Sequence, residues 1–252
     1  VTATFVNPKC SSSSDGSITA TAAGGTGTFS YSLNGGTPQS SNVFSGLSGG
    51  TYTVTATDGN GCTETTTVTL VNPPVLSAIA TAVQPSCAAS NDGSITIVAT
   101  GGVAPYSYSM NGAAGQSSNV FNGLGGGTFS ITVTDANGCV VGGALQLSNP
   151  IVVAVVISGV NPTCYGSSNG IISVTASGGT GSYAYSINGG TPQPGSIFNG
   201  LAAGSYTVTV VDSNGCVATA TTTLVNPPQL QITGTGYAPA CVGASSGSVL
   251  AI

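Results

Sequence analysis

An all-β fold is predicted: a tandem array of β-sandwich repeats with immunoglobulin- or fibronectin-like architecture, each about 77 residues long. Three observations predict it. The stretch Gly127-Thr-Phe-Ser-Ile-Thr-Val-Thr-Asp-Ala-Asn-Gly-Cys139 recurs with small changes at Gly50–Cys62 and at Gly204–Cys216, each copy displaced by 77 residues. Within it Phe129, Ile131 and Val133 alternate with Ser130, Thr132 and Thr134, the period of a strand buried on one face. Asn-Gly, Asp-Gly and Gly-Gly pairs break the chain at short intervals, and no helical periodicity appears between them.

The repetition lays out three full domains, residues 1–74, 75–150 and 151–228, and residues 229–252 open a fourth. That last piece holds one predicted strand and the start of a second. It cannot close a core alone, so it is expected to continue into further repeats or to be completed by a strand from a neighbouring chain.

Each repeat opens on an apolar strand, such as Leu76–Val83, which stops at a proline two residues before a cysteine: Pro8 and Cys10, Pro85 and Cys87, Pro162 and Cys164, Pro239 and Cys241. Proline lacks a ladder donor, so the chain leaves the sheet there. A polar turn follows at Asp15-Gly16, Asp92-Gly93, Asn169-Gly170 and Ser246-Gly247. The second strand places Ile18 and Ala20, Ile95 and Ile97, or Ile172 and Val174 in the core and ends at a glycine pair. The third carries Phe29 and Tyr31, Tyr106 and Tyr108, or Tyr183 and Tyr185, and ends at an Asn-Gly hairpin turn. A short fourth element brings Phe44 and Leu47, Phe121 and Leu124, or Phe198 and Leu201 to the core. The fifth is the recurring stretch, with Asn137-Gly138 and its equivalents expected to form a two-residue turn. The last ends at Leu70, Leu147 or Leu224 before Asn-Pro, and the prolines there stiffen the junction.

The seven cysteines, at 10, 62, 87, 139, 164, 216 and 241, alternate in spacing between 52 and 25 residues. Histidine is absent and no two cysteines are close in sequence, which argues against a structural metal site and for disulfides made in an oxidising, extracellular compartment. Two regular pairings are open. Bonds within a repeat would join Cys10 to Cys62, Cys87 to Cys139 and Cys164 to Cys216, with the partner of Cys241 outside this segment. Bonds between repeats would join Cys62 to Cys87, Cys139 to Cys164 and Cys216 to Cys241. The first is favoured, because an antiparallel order is expected to bring the loop after the first strand and the turn before the last to one end of the domain. A core of this size is small enough to need such a staple.

Charge excludes whole classes of function. With one Lys, six Asp and Glu, no His and a net charge of -5, the chain cannot replace counterions on nucleic acid or bind an anionic membrane. The apolar run Ile151–Val160 is half the length a spanning helix needs, and no leader pattern opens the sequence. Without histidine, Ser-His and Cys-His nucleophiles are impossible. Carboxylate pairs are conceivable from the Asp15 and Asp58 loops, or Asp92 and Asp135, if they share an end, but Asn169 stands in the first position of the third repeat. Asp and Asn alike serve turns, so no catalytic residue and no cofactor is assigned. Asp58, Asp135 and Asp212 are calcium candidates with one carboxylate per loop, short of the usual oxygen set. Tyr106, Tyr108, Tyr183 and Tyr185 are sugar-stacking candidates if they face outward, and core residues if they do not.

Together the Pro-x-Cys opening, Asp-Gly-Ser-Ile, the Gly-Gly turn, Tyr-x-Tyr-Ser, Ser-Asn-Val-Phe and Gly-Thr-Tyr-x-Val-Thr-x-x-Asp-x-Asn-Gly-Cys resemble the SprB repeat family of Bacteroidetes surface proteins. The resemblance covers the three full repeats and the partial fourth. It implies a large secreted cell-surface adhesin of the kind associated with gliding motility, exported by the type IX pathway, and transfers no catalytic residue. Family members often carry a tryptophan in the third strand, and this chain has none. The expected role is therefore a disulfide-stapled stalk or filament of repeats, whose partners are adjacent repeats or copies of itself. Abundant outward Ser and Thr are expected to carry O-linked glycans; the Asn161-Pro162-Thr163 triplet is blocked for N-linked sugar by its proline. The alternative is a module that binds extracellular glycans by avidity across repeats.

Overall fold

The computed structural model describes residues 1–237, 245 and 247–251. All regular structure in it is strand. Contacts divide the chain into two units, Val1–Pro85 with Ala89–Asn149, and Ser86–Ala88 with Pro150–Ile252.

In the first unit the first repeat has six strands: β1 (Thr2–Val6), β2 (Gly16–Thr21), β3 (Ser30–Leu33), β4 (Val43–Leu47), β5 (Gly50–Thr57) and β6 (Thr63–Leu70). They form two antiparallel sheets, in the orders β1-β2-β4 and β3-β5-β6. This is the strand distribution of an immunoglobulin-like sandwich reduced to three strands a side. Ile18 and Ala20 of the first sheet meet Tyr31, Val54, Ala56, Val68 and Leu70 of the second in one core, so the period-2 apolar positions become the dry interface between sheets. The second repeat repeats this with β7 (Ser77–Val83), β8 (Gly93–Thr100), β9 (Ser107–Met110), β10 (Val120–Leu124), β11 (Gly127–Thr134) and β12 (Val140–Leu147). Its core holds Ile95, Ile97, Tyr108, Leu124, Ile131, Val133 and Leu147.

The second unit contains β13 (Ala154–Val160), β14 (Gly170–Ser177), β15 (Ala184–Ile187), β16 (Ile197–Leu201), β17 (Gly204–Val211) and β18 (Val217–Leu224), in the sheets β13-β14-β16 and β15-β17-β18. Ile172, Val174, Tyr185, Phe198, Val208, Val210 and Leu224 are buried between them with Val153. Beyond this core, β19 (Gly234–Tyr237) pairs with β20 (Ser248–Ala251). β19 is exposed along its whole length.

Two turn types separate what looks alike in sequence. Asn34-Gly35, Asn111-Gly112 and Asn188-Gly189 have positive φ at both residues, as a two-residue type I′ hairpin turn requires. At Asn137-Gly138 only the glycine does, with φ 84°. The expected two-residue turn is there a three-residue loop: Gly138 N–H donates to Asp135 C=O at 3.1 Å and Asp135 N–H to Cys139 C=O at 3.0 Å. A type I turn closed by a left-handed glycine accounts for both bonds. Asn137, freed from the positive-φ position, has a side chain to spare.

At the start of β5 the Tyr52 hydroxyl donates back to Ser48 C=O at 2.9 Å, and Tyr206 in β17 does the same to Ala202 C=O at 2.7 Å. These are tyrosine corners of the immunoglobulin-like kind. The second repeat has Phe129 at this position, so it folds without the bond. Tyr52→Phe is expected to cost about 1 kcal/mol, read as a lower urea midpoint with unchanged slope, while Phe129→Tyr raises the midpoint.

The chain direction corrects the expectation about domain ends. Val71 N–H, just past β6, donates to Asn7 Oδ1, just past β1, at 2.9 Å. β6 therefore finishes where β1 finishes, and the turn before β6 lies at the opposite end. Cys10 and Asp15 occupy one end of the first repeat and Cys62 and Asp58 the other. The same bond recurs in the second unit from Val225 N–H to Asn161 Oδ1 at 2.9 Å.

Candidate functional site: the paired cysteine turns

Each repeat carries two prebuilt cysteine turns, one at each end. The first follows the opening strand and can be called the hook. Pro8 is buried and anchors it. Asp15 Oδ1 accepts from Lys9 N–H at 3.0 Å and from the Ser13 hydroxyl at 2.5 Å, and that hydroxyl also accepts from Cys10 N–H at 3.0 Å. In the third repeat Asn169 Oδ1 takes the bonds from Thr163 N–H, at 3.0 Å, and from the Ser167 hydroxyl, at 2.9 Å. Only an acceptor oxygen is needed, which explains why Asp and Asn interchange here.

The second turn, the eye, precedes the last strand and is built on an aspartate. Asp135 Oδ1 accepts from Asn137 N–H at 2.9 Å and Cys139 N–H at 2.8 Å, while its Oδ2 accepts from Val103 N–H at 2.9 Å. Asp212 repeats the clamp on Asn214, Cys216 and Thr180 at 2.9, 2.9 and 2.8 Å. Asp58 repeats it on Asn60, Cys62 and Thr26 at 3.0, 2.8 and 2.9 Å. Both oxygens of each calcium candidate, Asp58, Asp135 and Asp212, thus accept from backbone donors and clamp the turn. Among the described residues no three His, Cys, Asp or Glu converge on a metal-sized site.

Burial pushes the carboxyls of Asp135 and Asp212 up, but the converging N–H groups outweigh it and hold both below the ordinary value of 3.8. Asp58 is lowered chiefly by Cys62 and Thr26 N–H, and Asp15 chiefly by the Ser13 hydroxyl. A folded-state value below the unfolded one means that the unfolded chain binds protons first as pH falls. The stability these groups supply is therefore complete above the unfolded value, and is lost as pH drops from about 4 through their lower folded values. Urea midpoints measured from pH 7 to pH 2 are expected to hold level to about pH 5 and then fall. Asp135→Asn is expected to flatten that decline.

Hook and eye meet through sulfur. In the first unit Cys10 is bonded to Cys139 with S–S 2.06 Å and Cα–Cα 5.7 Å. Beside the bond Asn137 Nδ2 donates to Lys9 C=O at 2.9 Å. In the second unit Cys87, carried by Ser86–Ala88, is bonded to Cys216 with S–S 2.10 Å and Cα–Cα 5.5 Å, and Asn214 Nδ2 donates to Ser86 C=O at 3.2 Å. Neither regular pairing expected from the spacing occurs. The bond runs from the first cysteine of a repeat to the second cysteine of the following one, 129 residues on. Cys10 cannot reach Cys62 because the parallel placement of β1 and β6 puts them at opposite ends of one sandwich. The same separation takes Asp15 away from Asp58, which removes the carboxylate pair. Cys62 and Cys164 are free and exposed, and Cys241 lies outside the described residues.

The sugar-stacking candidates face inward. Tyr108 and Tyr185 are core residues. Tyr106 and Tyr183 pack against the same cores, their hydroxyls donating to Gly101 C=O and Gly178 C=O. A cavity of about 210 Å³ in the second repeat, opened by Gly142 and Gly143 opposite Ala78 and Ala80, has an apolar lining without convergent polar side chains. Sequence reasoning missed Asn137 and Asn214 as gripping side chains, and Ser13 and Ser167 as hook braces. Their fixed offsets, Asn two residues before the eye cysteine and Ser three after the hook cysteine, were the available signal.

Among the described residues no helix is long and apolar enough to cross a membrane. Comparison with solved structures finds similarity to the N-terminal eight immunoglobulin domains of Down syndrome cell adhesion molecule, at 9% identity and TM-score 0.38 over 80% of this chain and 33% of that one. Sidekick-1 immunoglobulin domains 1–5 match at 12% identity and TM-score 0.33, over 89% of this chain and 58% of that one. The surface-layer protein SbsC matches at 13% identity and TM-score 0.31, over 93% of this chain and 42% of that one. The chain thus spans between a third and three fifths of the length of these structures. No curated protein sequence matches it. The SprB repeat model matches residues 2–38, 79–115 and 157–192, the stretches that carry the hook and the first three strands of each sandwich, and in these three repeats the chain belongs to the SprB repeat family.

Proposed function

We propose that this chain is a load-bearing segment of a bacterial surface adhesin, secreted and displayed outside the cell as a disulfide-stapled stalk. The observation that carries the reading is the overlap of the two staples. Cys10–Cys139 and Cys87–Cys216 share residues 87–139, so every residue from 10 to 216 lies within at least one covalent loop. A stalk under tension gains from this, since an unfolding repeat inside a closed loop cannot pay out its full length. The boundaries proposed for the repeats are 1–74, 75–150 and 151–228, with a fourth opening at 229. Membership of the SprB repeat family supports surface display and a mechanical rather than catalytic role, in adhesion of the gliding-motility kind. The neutral strand faces rich in Thr and Ser are proposed to carry O-linked glycans, which keep nearly uncharged sheet edges apart.

Force–extension measurement on single chains tests the reading. The shortest covalent path from end to end passes through both staples, so the oxidised chain should extend to less than roughly half the length of the reduced one at about 3.5 Å per residue. Equal extension with and without reductant would sink it. Intact mass of the native material tests the glycan: excess mass in sugar steps supports it, and a bare polypeptide mass removes it.

A further inference from the structure

A cleft of about 350 Å³ lies where the two sandwiches of the first unit join. Asn7 and Pro8 border it after the opening strand, residues 71–74 along the link between the repeats, and Val103 and Asn137 on the second repeat. Its three asparagines are each held at one end by a backbone partner, which fixes what the other end offers. Asn7 Oδ1 accepts from Val71 N–H at 2.9 Å and Asn72 Oδ1 from Gly49 N–H at 3.0 Å. An N–H only donates, so each amide turns its oxygen to that bond and Nδ2 is the end left over. Asn137 is set the other way: its Nδ2 donates to Lys9 C=O at 2.9 Å, and Oδ1 is left over. All three residues are exposed. The backbone beside them is engaged, with Val103 N–H on Asp135 Oδ2, Val103 C=O on Ala136 N–H and Pro74 C=O on Gly102 N–H. The other walls are proline and valine, and no charged side chain lines the cleft.

We infer that this cleft binds a neutral saccharide, with Asn7 Nδ2 and Asn72 Nδ2 donating to its oxygens and Asn137 Oδ1 accepting from one of its hydroxyls. A hydroxyl both donates and accepts, so neighbouring hydroxyls of one sugar can meet donors and an acceptor together. The C–H face of the ring then lies against the proline and valine walls. Other classes of ligand fit worse. A carboxylate or phosphate gains from Asn7 and Asn72 but meets the Asn137 oxygen, and no cation among the lining residues offsets its desolvation. A metal cation finds one side-chain oxygen where it needs several. An apolar ligand strips water from three amides without replacing their bonds. Because backbone bonds already hold the amides in place, little side-chain freedom is lost on binding. The volume is at the small end of the roughly 300–1,000 Å³ of ligand clefts, so the site takes a short stretch of a polysaccharide. The inference deepens the adhesin reading by naming the class of ligand, and rests on that reading for the extracellular source of the sugar.

The test uses the full chain, labelled with heavy nitrogen and made without glycosylation so that no attached sugar fills the cleft. Maltotriose, cellotriose and mannotriose are the neutral probes, and trigalacturonate is the anionic one. At least one neutral probe is expected to shift the side-chain amide resonances of Asn7 and Asn72, with a dissociation constant on the order of 1 mM, and trigalacturonate to shift neither. Asn7→Asp combined with Asn72→Asp keeps the oxygens that accept from Val71 and Gly49 N–H and turns both outward donors into acceptors. The double variant should keep the backbone amide dispersion of the parent and bind about tenfold or more weakly. Asn149→Asp makes the same exchange at the equivalent bond to Gly126 N–H, outside the cleft, and should leave the affinity unchanged. No shift with any neutral probe, trigalacturonate binding as tightly as the neutral sugars, or undiminished affinity in the double variant would overturn the proposal. Force–extension reads the two staples whether or not the cleft is filled, so failure of the sugar site is distinguishable from failure of the stalk reading.

Discussion

Replacing Cys10 and Cys139 together by serine is expected to lower the unfolding free energy of the first unit by about 5 kcal/mol, the chain-entropy value for a closed loop of this length. The loop spans 129 residues and takes in β2 to β11, leaving only β1 and β12 of that unit's two sandwiches outside it. Far-UV circular dichroism of the variant should nevertheless remain that of a β protein, because neither cysteine belongs to a core cluster. Urea unfolding followed by tyrosine fluorescence gives the loss. The control is Cys62→Ser, which removes an exposed, unpaired thiol and should move the midpoint by no more than about 0.5 kcal/mol equivalent. A bond from Cys10 to Cys62 would reverse this pattern, with Cys62→Ser as costly as Cys10→Ser. Non-reducing peptide mapping gives a second readout in the same samples.

Gly101→Ala is expected to cost about 3 kcal/mol or more, and Gly24→Ala about 1–2 kcal/mol, although both glycines occupy the same place in their repeats. Each has a left-handed backbone, φ +72° and +80°, so alanine pays the conformational cost at either site. They differ in what lies beneath. A Cβ on Gly101 would stand 1.9 Å from Val75 C=O, whereas one on Gly24 meets nothing within 4 Å. The segment entering the second repeat runs under its glycine pair, where Gly102 N–H donates to Pro74 C=O at 2.8 Å. In the second unit Gly178 is equivalent, with Val152 C=O 2.1 Å from its Cβ position and a bond from Gly179 N–H to Ile151 C=O. Gly178→Ala should therefore behave like Gly101→Ala. Equal urea midpoints for Gly24→Ala and Gly101→Ala would show that the entering segment does not bear on the glycine.

Much of the sandwich was legible because strand burial is local in sequence. Alternation puts Ile18, Ile95 and Ile172 on the inner face of the second strand whatever the sheet order, and all three are fully buried. Asn34-Gly35 could be assigned as a hairpin turn for the same reason. The identical dipeptide at Asn137-Gly138 was misassigned, since its conformation depends on the Asp135 carboxylate clamp, which reaches across to Val103. Tyr106 and Tyr108 were ambiguous between core and sugar platform until the second sheet was in place to cover them.

By itself the sequence determined the repeat length, the all-β class and the inner faces of the strands. Each follows from periodicity or composition, quantities a linear chain carries in full. Only the tertiary structure decided which cysteines pair. Spacing records the distance along the chain, while bonding depends on which end of a sandwich each turn occupies. That end was set by β6 running parallel beside β1, a long-range relation that no window of residues contains.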